Sequence, residues 1–314
     1  MEMIAFGPVP SRRLGHSLGI NNIPPKDCSY SCVYCQLGRT LNMGAERKDF
    51  YKPEEIFKDV EKKIKDARKN KELIDYLTFV PDGEPTLDVN LGREIELLKT
   101  LGIKIAVISN ASLIWQEDVR DDLCRADWVS LKIDAISKDI WRRTNRPHKS
   151  LQLDKILLGI EEFSRIFRGE LATETMLIQD VNDDIEEMRK VASFIAKIRN
   201  VKSYISIPTR PPAEKWVKAA NEHTINKAYQ LFQEKSISTE YLIGYEGNAF
   251  AFTGNVEEDL LSITSVHPMR EEAVDEFLEK AKASRKVIQK LLNENKLIET
   301  KYKNIKFYLR KLFT

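Results

Sequence analysis

An α/β protein built on a parallel sheet is the fold class this sequence predicts. Three observations point to it: short apolar runs rich in β-formers, amphipathic helical patterns between them, and a change of charge and pattern near the C-terminus. The strand-like runs are Ser17–Ile23, Tyr76–Val80, Lys104–Ser109, Trp128–Ile133, Thr173–Ile178 and Ser203–Ile207. Each is short and nearly continuous in apolar residues, as suits a strand covered on both faces. Pro53–Arg68, Leu91–Leu101, Gln116–Arg125, Leu153–Phe167 and Asp184–Ile198 separate them and repeat apolar residues at helical spacing. Strand and helix in regular alternation imply βαβ units, and parallel barrels carry their chemistry at the C-terminal ends of the strands.

At 314 residues the chain is long enough for one large α/β domain and a small appendage. A hydrophobic content of 42% with 31% charged residues is ordinary for a soluble protein. The N-terminal stretch has no extended apolar run, so neither a signal peptide nor a membrane span is expected, and a cytoplasmic, reducing location follows. The net charge of +2 is unevenly divided: residues 280–314 carry eleven Lys/Arg against two acidic residues, leaving the first 279 residues at −7.

The loop after the first strand, Pro24–Gly38, holds Cys28, Cys32 and Cys35 in the order Cys-x3-Cys-x-aromatic-Cys, with Tyr34 before the last cysteine. Three thiolates can hold three corners of a [4Fe–4S] cube, which usually takes four cysteines, so one iron is left for another ligand. A zinc site would want a fourth Cys or His at matching spacing, and a disulfide framework a short secreted chain. Cys124 is distant in sequence, His16, His148, His223 and His267 are scattered, and Cys124 follows a helical pattern that reads as a packed core thiol.

The cysteine spacing resembles the signature of the radical SAM superfamily. The resemblance implies a partial (β/α)6 TIM-like barrel, a single [4Fe–4S] cluster and S-adenosylmethionine (SAM) chelating the open iron. It also implies reductive cleavage of SAM to a 5′-deoxyadenosyl radical that takes hydrogen from a substrate. An electron donor such as a ferredoxin or flavodoxin is the implied partner, and no catalytic residue beyond the cluster is assigned. Asp82-Gly83-Glu84-Pro85 after the second strand looks like the family's Gly-Gly-Glu element, with Asp82 in place of the first glycine. Gly83 and Glu84 are then expected at the amino group of SAM. Ser109 and Asn110 end the third strand, and Lys132 and Asp134 the fourth; they suit the ribose hydroxyls and carboxylate of SAM, or equally helix capping and loop ordering. Met176, in the segment resembling the family's fifth strand, is expected against adenine or in the core.

Three basic segments, around Arg12, Arg13 and His16, around Arg146, and around Arg210, are expected at the barrel mouth, where arginines grip phosphate or carboxylate groups. For any single arginine a solvated loop face is the better reading; three basic loops at one rim point to a shared anionic ligand. PVPSRRLG, CQLGRT and NRPH look like a branch of uncharacterised iron–sulfur oxidoreductases whose core is similar to the tRNA-modifying enzyme of wybutosine synthesis. That enzyme holds a second cluster on additional cysteines, which this chain lacks.

After His267-Pro268, the sequence predicts a helix over Glu271–Ala283, a Ser284-capped helix over Arg285–Asn295, and strands Lys296–Thr300 and Ile305–Leu309 around a Lys303-Asn304 turn. This order looks like a winged helix, so the expected division is a barrel over 1–255 and a basic winged-helix-like domain over 256–314. Arg285, Lys286, Lys290, Lys301, Lys303 and Lys306 would form a phosphate-contacting face, although winged helices also serve as packing modules. The leading expectation is a radical SAM enzyme acting on RNA, with tRNA foremost; a small anionic metabolite or a protein is the rival substrate. The reading from another class is a redox-sensing, cluster-bearing nucleic-acid regulator, which would need neither Gly83-Glu84 nor a barrel.

Overall fold

The computed structural model describes residues 4–244 and 247–311. The strands in chain order are β1 (Ala5–Ser11), β2 (Gly15–Ile20), β3 (Asp27–Cys28), β4 (Asn42–Met43), β5 (Tyr76–Phe79), β6 (Lys104–Ser109), β7 (Trp128–Lys132), β8 (Glu170–Met176), β9 (Val201–Ser206), β10 (Ser238–Leu242), β11 (Met269–Arg270), β12 (Leu297–Tyr302) and β13 (Ile305–Arg310). The helices are α1 (Pro53–Lys69), α2 (Leu91–Lys99), α3 (Glu117–Leu123), α4 (Lys138–Asn145), α5 (Leu153–Ile166), α6 (Ile185–Ile195), α7 (Glu222–Glu234), α8 (Val256–Val266), α9 (Glu271–Lys280) and α10 (Lys286–Asn293).

The main sheet runs β1-β2-β5-β6-β7-β8-β9-β10. All its pairings are parallel except β1 with β2. Every strand and helix expected of the alternating series is present, and α7 with β10 adds one further βα step. The sheet is curved: Leu14 from the β1–β2 turn packs in one cluster with Ala106, Trp128, Ala172 and Tyr204 from four successive strands. Its edges, β1 and β10, do not pair with each other, so the barrel is partial. Helices cover the outer face, where Ile56, Ile95, Leu98, Val119, Phe163 and Ile195 meet the strands in the main core.

The remaining elements run α8-β11-α9-α10-β12-β13, with an antiparallel sheet in the order β11-β13-β12. Lys303 and Asn304 have φ of 49° and 63°, so a two-residue turn closes the β12–β13 hairpin. This segment has its own core, which Phe6 and Val9 of β1 enter beside Phe250, Leu260, Ile263, Phe277 and Leu291. Lys63 of α1 reaches Asp259 of α8 at 2.6 Å, both largely buried.

Three expectations are corrected. The helix assigned to Arg285–Asn295 begins at Lys286, with Arg285 rather than Ser284 at its cap and no side-chain capping bond. Cys124 is exposed, because α3 ends there and Leu123 takes the inward position. The basic face is partly neutralised from within: Arg285 pairs with Asp275 and Glu271, Lys290 with Glu257, and Lys306 with Glu271. Among the described residues no helix is long and apolar enough to cross a membrane.

Candidate active site

The cysteine loop is held between two strand-end segments. On one side Lys26 N donates to Asp82 O at 2.7 Å and Glu84 N to Asp27 O at 3.2 Å. Gly83 is required at that crossing, since a Cβ there would lie 1.8 Å from Asp27 O. On the other side the end of α4 grips the loop: Ser31 N and Val33 N donate to Asn145 O and Thr144 O, and His148 N to Ser29 O.

Cys28, Cys32 and Cys35 all line one cavity of about 330 Å³, together with Tyr34, Gly83, Glu84, Ser109, Asn110, Lys132 and Met176. Burial pushes all three thiols up, Cys32 to about 12, so metal binding there is accompanied by release of their protons. Two amides point at the sulfurs: Asn110 Nδ2 lies 3.5 Å from Cys28 Sγ, and Asn145 Nδ2 lies 3.5 Å from Cys32 Sγ. Among the described residues no three ligating side chains gather as a single metal ion needs. Cysteines set apart around one cavity suit a cube whose corners are different irons.

Among the described residues, the buried polar atoms of the cavity wall without a hydrogen-bond partner include Lys26 Nζ and Asp82 Oδ1. Burial lowers the pKa of the Lys26 amine and raises that of the Asp82 carboxyl to about 7, against the opposing pull of each on the other. A buried ammonium and a buried carboxylate oxygen, each without a hydrogen bond, stand beside the cysteines and match the carboxylate and amino groups of an amino-acid moiety such as that of SAM. Neither residue was expected as a ligand from sequence; the signal was the departure at Asp82, where a charged residue replaces glycine.

Glu84 turns inward instead. Its carboxylate accepts from Thr86 N and Oγ1, Ser109 Oγ and Asn110 N, at 2.7 to 3.1 Å, and the residue is 1% exposed. Its side chain therefore ties the ends of β5 and β6 together while the residue lines the cavity. Asp134 is likewise consumed. It accepts from Tyr34 Oη, from Asn145 Nδ2 at 2.7 Å and from Met176 N at 2.9 Å, and it stands outside the main cavity. These bonds tie the loop after β7 to Tyr34, Asn145 and the end of β8.

Beneath the cysteines lies a buried ion network. Glu174 receives Arg13 at 2.5 Å and Lys132 at 2.7 Å, with Ser206 Oγ at 3.0 Å. Burial would raise the Glu174 pKa, but Lys132 and Arg13 outweigh it and hold the carboxyl well below its usual range. Lys132 also sits over the Tyr34 ring at 5.1 Å. Met176 touches both the cavity and an apolar cluster with Val33 and Val181.

The basic segments fare differently. Arg210 lines the cavity and bridges Gln36 at 2.8 Å and His267 at 2.9 Å. Arg12 and Arg13 also line it, but from the β1–β2 turn at the N-terminal end of β2 rather than from the mouth, because β1 runs antiparallel to β2. His16 is corrected for the same reason: it sits at the start of β2, exposed and 2.9 Å from Asp75, away from the cavity. Arg146 also stands outside the cavity; it and Arg39 pair with Glu214 and hold that carboxyl at about 2, which fastens the cysteine loop to the end of α4 and to the loop after β9.

The curved parallel sheet with three cysteines on the loop after its first parallel strand defines an iron–sulfur enzyme of the SAM-cleaving class. Residues 22–192 match the family model of the Radical SAM superfamily. The chain belongs to that superfamily, whose members use a [4Fe–4S] cluster and SAM. It is 52% identical over 311 residues to the UPF0026 protein MJ1312 of Methanocaldococcus jannaschii, covering 98% of this chain and 96% of that one. It is 23% identical over 214 residues to a probable dual-specificity RNA methyltransferase RlmN of Streptococcus pyogenes, covering 64% of this chain and 56% of that one. A solved structure of TYW1 with a lysine-pyruvate adduct bound shares the fold with a TM-score of 0.53 at 18% identity, over 69% of this chain and 73% of that one.

Proposed function

We propose that this radical SAM enzyme abstracts hydrogen from an RNA substrate, with tRNA the leading class, at a single cluster held by Cys28, Cys32 and Cys35. When bound, the cluster and SAM supply a carbon-centred radical at the cavity. The chain's own residues then do three things. Lys26 and Asp82 bind the charged end of SAM, Asn110 and Asn145 orient the cysteine sulfurs, and Tyr34 and Met176 keep the cavity wall apolar against water. Within this reading residues 1–255 form the barrel unit and residues 256–314 a winged-helix-like unit that contributes Val266 to the cavity lining.

The observation that carries the choice of an anionic substrate is the cavity lining. Arg12, Arg13, Lys26, Lys132 and Arg210 line it against Asp82, Glu84 and Glu174, of which Glu174 engages Arg13 and Lys132, and the remaining positive excess favours anions. RNA is favoured among anions by the wybutosine-like segments and by the likeness to an RNA methyltransferase. Anaerobically reconstituted protein with dithionite is expected to release 5′-deoxyadenosine, and Cys32→Ala to abolish it. With perdeuterated RNA as substrate, deuterium is expected in that 5′-deoxyadenosine. Its appearance from a deuterated metabolite extract but not from RNA would reverse the substrate assignment.

A further inference from the structure

A second depression, about 710 Å³, lies between the loop that follows β9 and the tip of the β12–β13 hairpin. Lys215 and Lys218 line it from the loop, and Tyr302 and Lys303 from the hairpin. Among the described residues one carboxylate, Glu222, also lines it, against the three lysines. All three lysines are exposed, and none takes part in the ion pairs that engage Arg285, Lys290 and Lys306. Lys303 is carried by a tight turn whose strands fix its position, and Tyr302 Oη is hydrogen-bonded to Pro208 O at 3.2 Å. Trp216, between the two loop lysines in sequence and beside the lining of the depression, is 51% exposed.

The depression adjoins the cysteine cavity. Ile207 lines both, and Pro208, which receives the Tyr302 hydroxyl, lines the cavity. A chain lying in the groove would thus have one unit at the cavity entrance. Exposed lysines with an interleaved exposed aromatic suit a single strand of nucleic acid, whose phosphates take the cations and whose bases stack on the ring. A peptide would want hydrogen-bonding edges or apolar pockets in place of an exposed indole flanked by ammonium groups.

We propose that this groove is the RNA-binding track of the enzyme, in which Lys215, Lys218 and Lys303 hold the backbone, Trp216 stacks a base, and one unpaired nucleotide passes Ile207 into the cavity. The proposal rests on the RNA reading above and adds where the RNA lies. It moves the nucleic-acid contact from the helix α10 face to the hairpin tip and the barrel loop.

The test uses the reconstituted holoenzyme with fluorescently labelled bulk tRNA and a labelled single-stranded RNA, titrated across a range of salt. Lys215→Glu/Lys218→Glu/Lys303→Glu is expected to weaken binding at least about tenfold and to reduce the log–log salt slope by about 2. Trp216→Ala is expected to lose roughly tenfold. A charge-matched variant outside the groove, Lys282→Glu/Lys286→Glu/Lys311→Glu, should retain most of the affinity, and SAM cleavage without substrate should be unchanged in all three. Wild-type affinity and slope in the groove variant would overturn the track while leaving RNA as substrate. Absence of any salt-dependent RNA binding by the wild type would overturn the RNA reading and the track with it.

Discussion

Asp82, proposed above as a ligand of SAM, is set against stability by its burial. Its folded pKa of about 7 lies above the ordinary aspartate value of 3.8 because burial disfavours the charge. Between these values the unfolded chain has released the proton and the folded chain retains it, so stability falls as pH rises from about 4 to about 7 and then levels. In the cluster-free protein Asp82→Asn should remove this slope, gaining at most about 4 kcal/mol over the wild type by pH 8. SAM affinity should move the other way, falling as wild-type Asp82 is protonated below about pH 7 and losing that dependence in the variant. Urea titrations at several pH values, with calorimetry of SAM, would decide; parallel pH profiles for the two proteins would sink the assignment. The cysteine triplet could be read from sequence because its meaning lies in spacing alone. Lys26 and Asp82 could not, since being unpartnered is a property of the fold around them. The partners of the Glu84 carboxylate are legible only in the structure for the same reason: Thr86, Ser109 and Asn110 all donate to it.

At the scale of elements, the end of α4 is the clamp on the cysteine loop. Arg146 closes the helix in a left-handed conformation at φ 44°, which turns Asn145 toward Cys32 and Asp134. Amide hydrogen bonds to cluster sulfurs favour the reduced state, so their loss drives the potential down. Asn145→Leu is expected to load the cluster yet give a more negative midpoint in an electron-paramagnetic-resonance redox titration, with a stability loss of about 1–3 kcal/mol from the donor Asp134 loses. An unchanged midpoint would reduce Asn145 to a packing role. Sequence reasoning read α4 as a basic loop because Arg142, Arg143 and Arg146 dominate its composition, while Trp141, Thr144 and Asn145 alone face inward. It also passed over β1, whose Pro8 and Pro10 argue against a central strand; β1 is an edge strand, where proline is tolerated. The six strands it did identify are those buried on both faces, where composition speaks most directly.

At the scale of the whole molecule, the C-terminal segment is part of the active-site enclosure rather than a tethered module. Val266 lines the cysteine cavity and its carbonyl accepts from Gln36 of the cysteine loop at 2.8 Å. His267 meets Arg210, and Phe6 and Val9 of β1 are buried in the core of this segment. The joint is held on its far side by Lys63 and Asp259, whose side chains are 10% and 1% exposed. Removing one partner of such a pair leaves the other charged and desolvated, which costs about 3–5 kcal/mol, whereas replacing both with apolar groups is often neutral. Asp259→Ala should therefore lower the urea midpoint sharply, and Lys63→Met/Asp259→Leu should recover most of the loss. Because the cavity wall depends on the same joint, SAM affinity should fall with the single variant and return with the double. If Asp259→Ala lost stability but bound SAM as the wild type does, the segment would be a stabilising cap only, and the enclosure it gives the cavity would have no bearing on the chemistry.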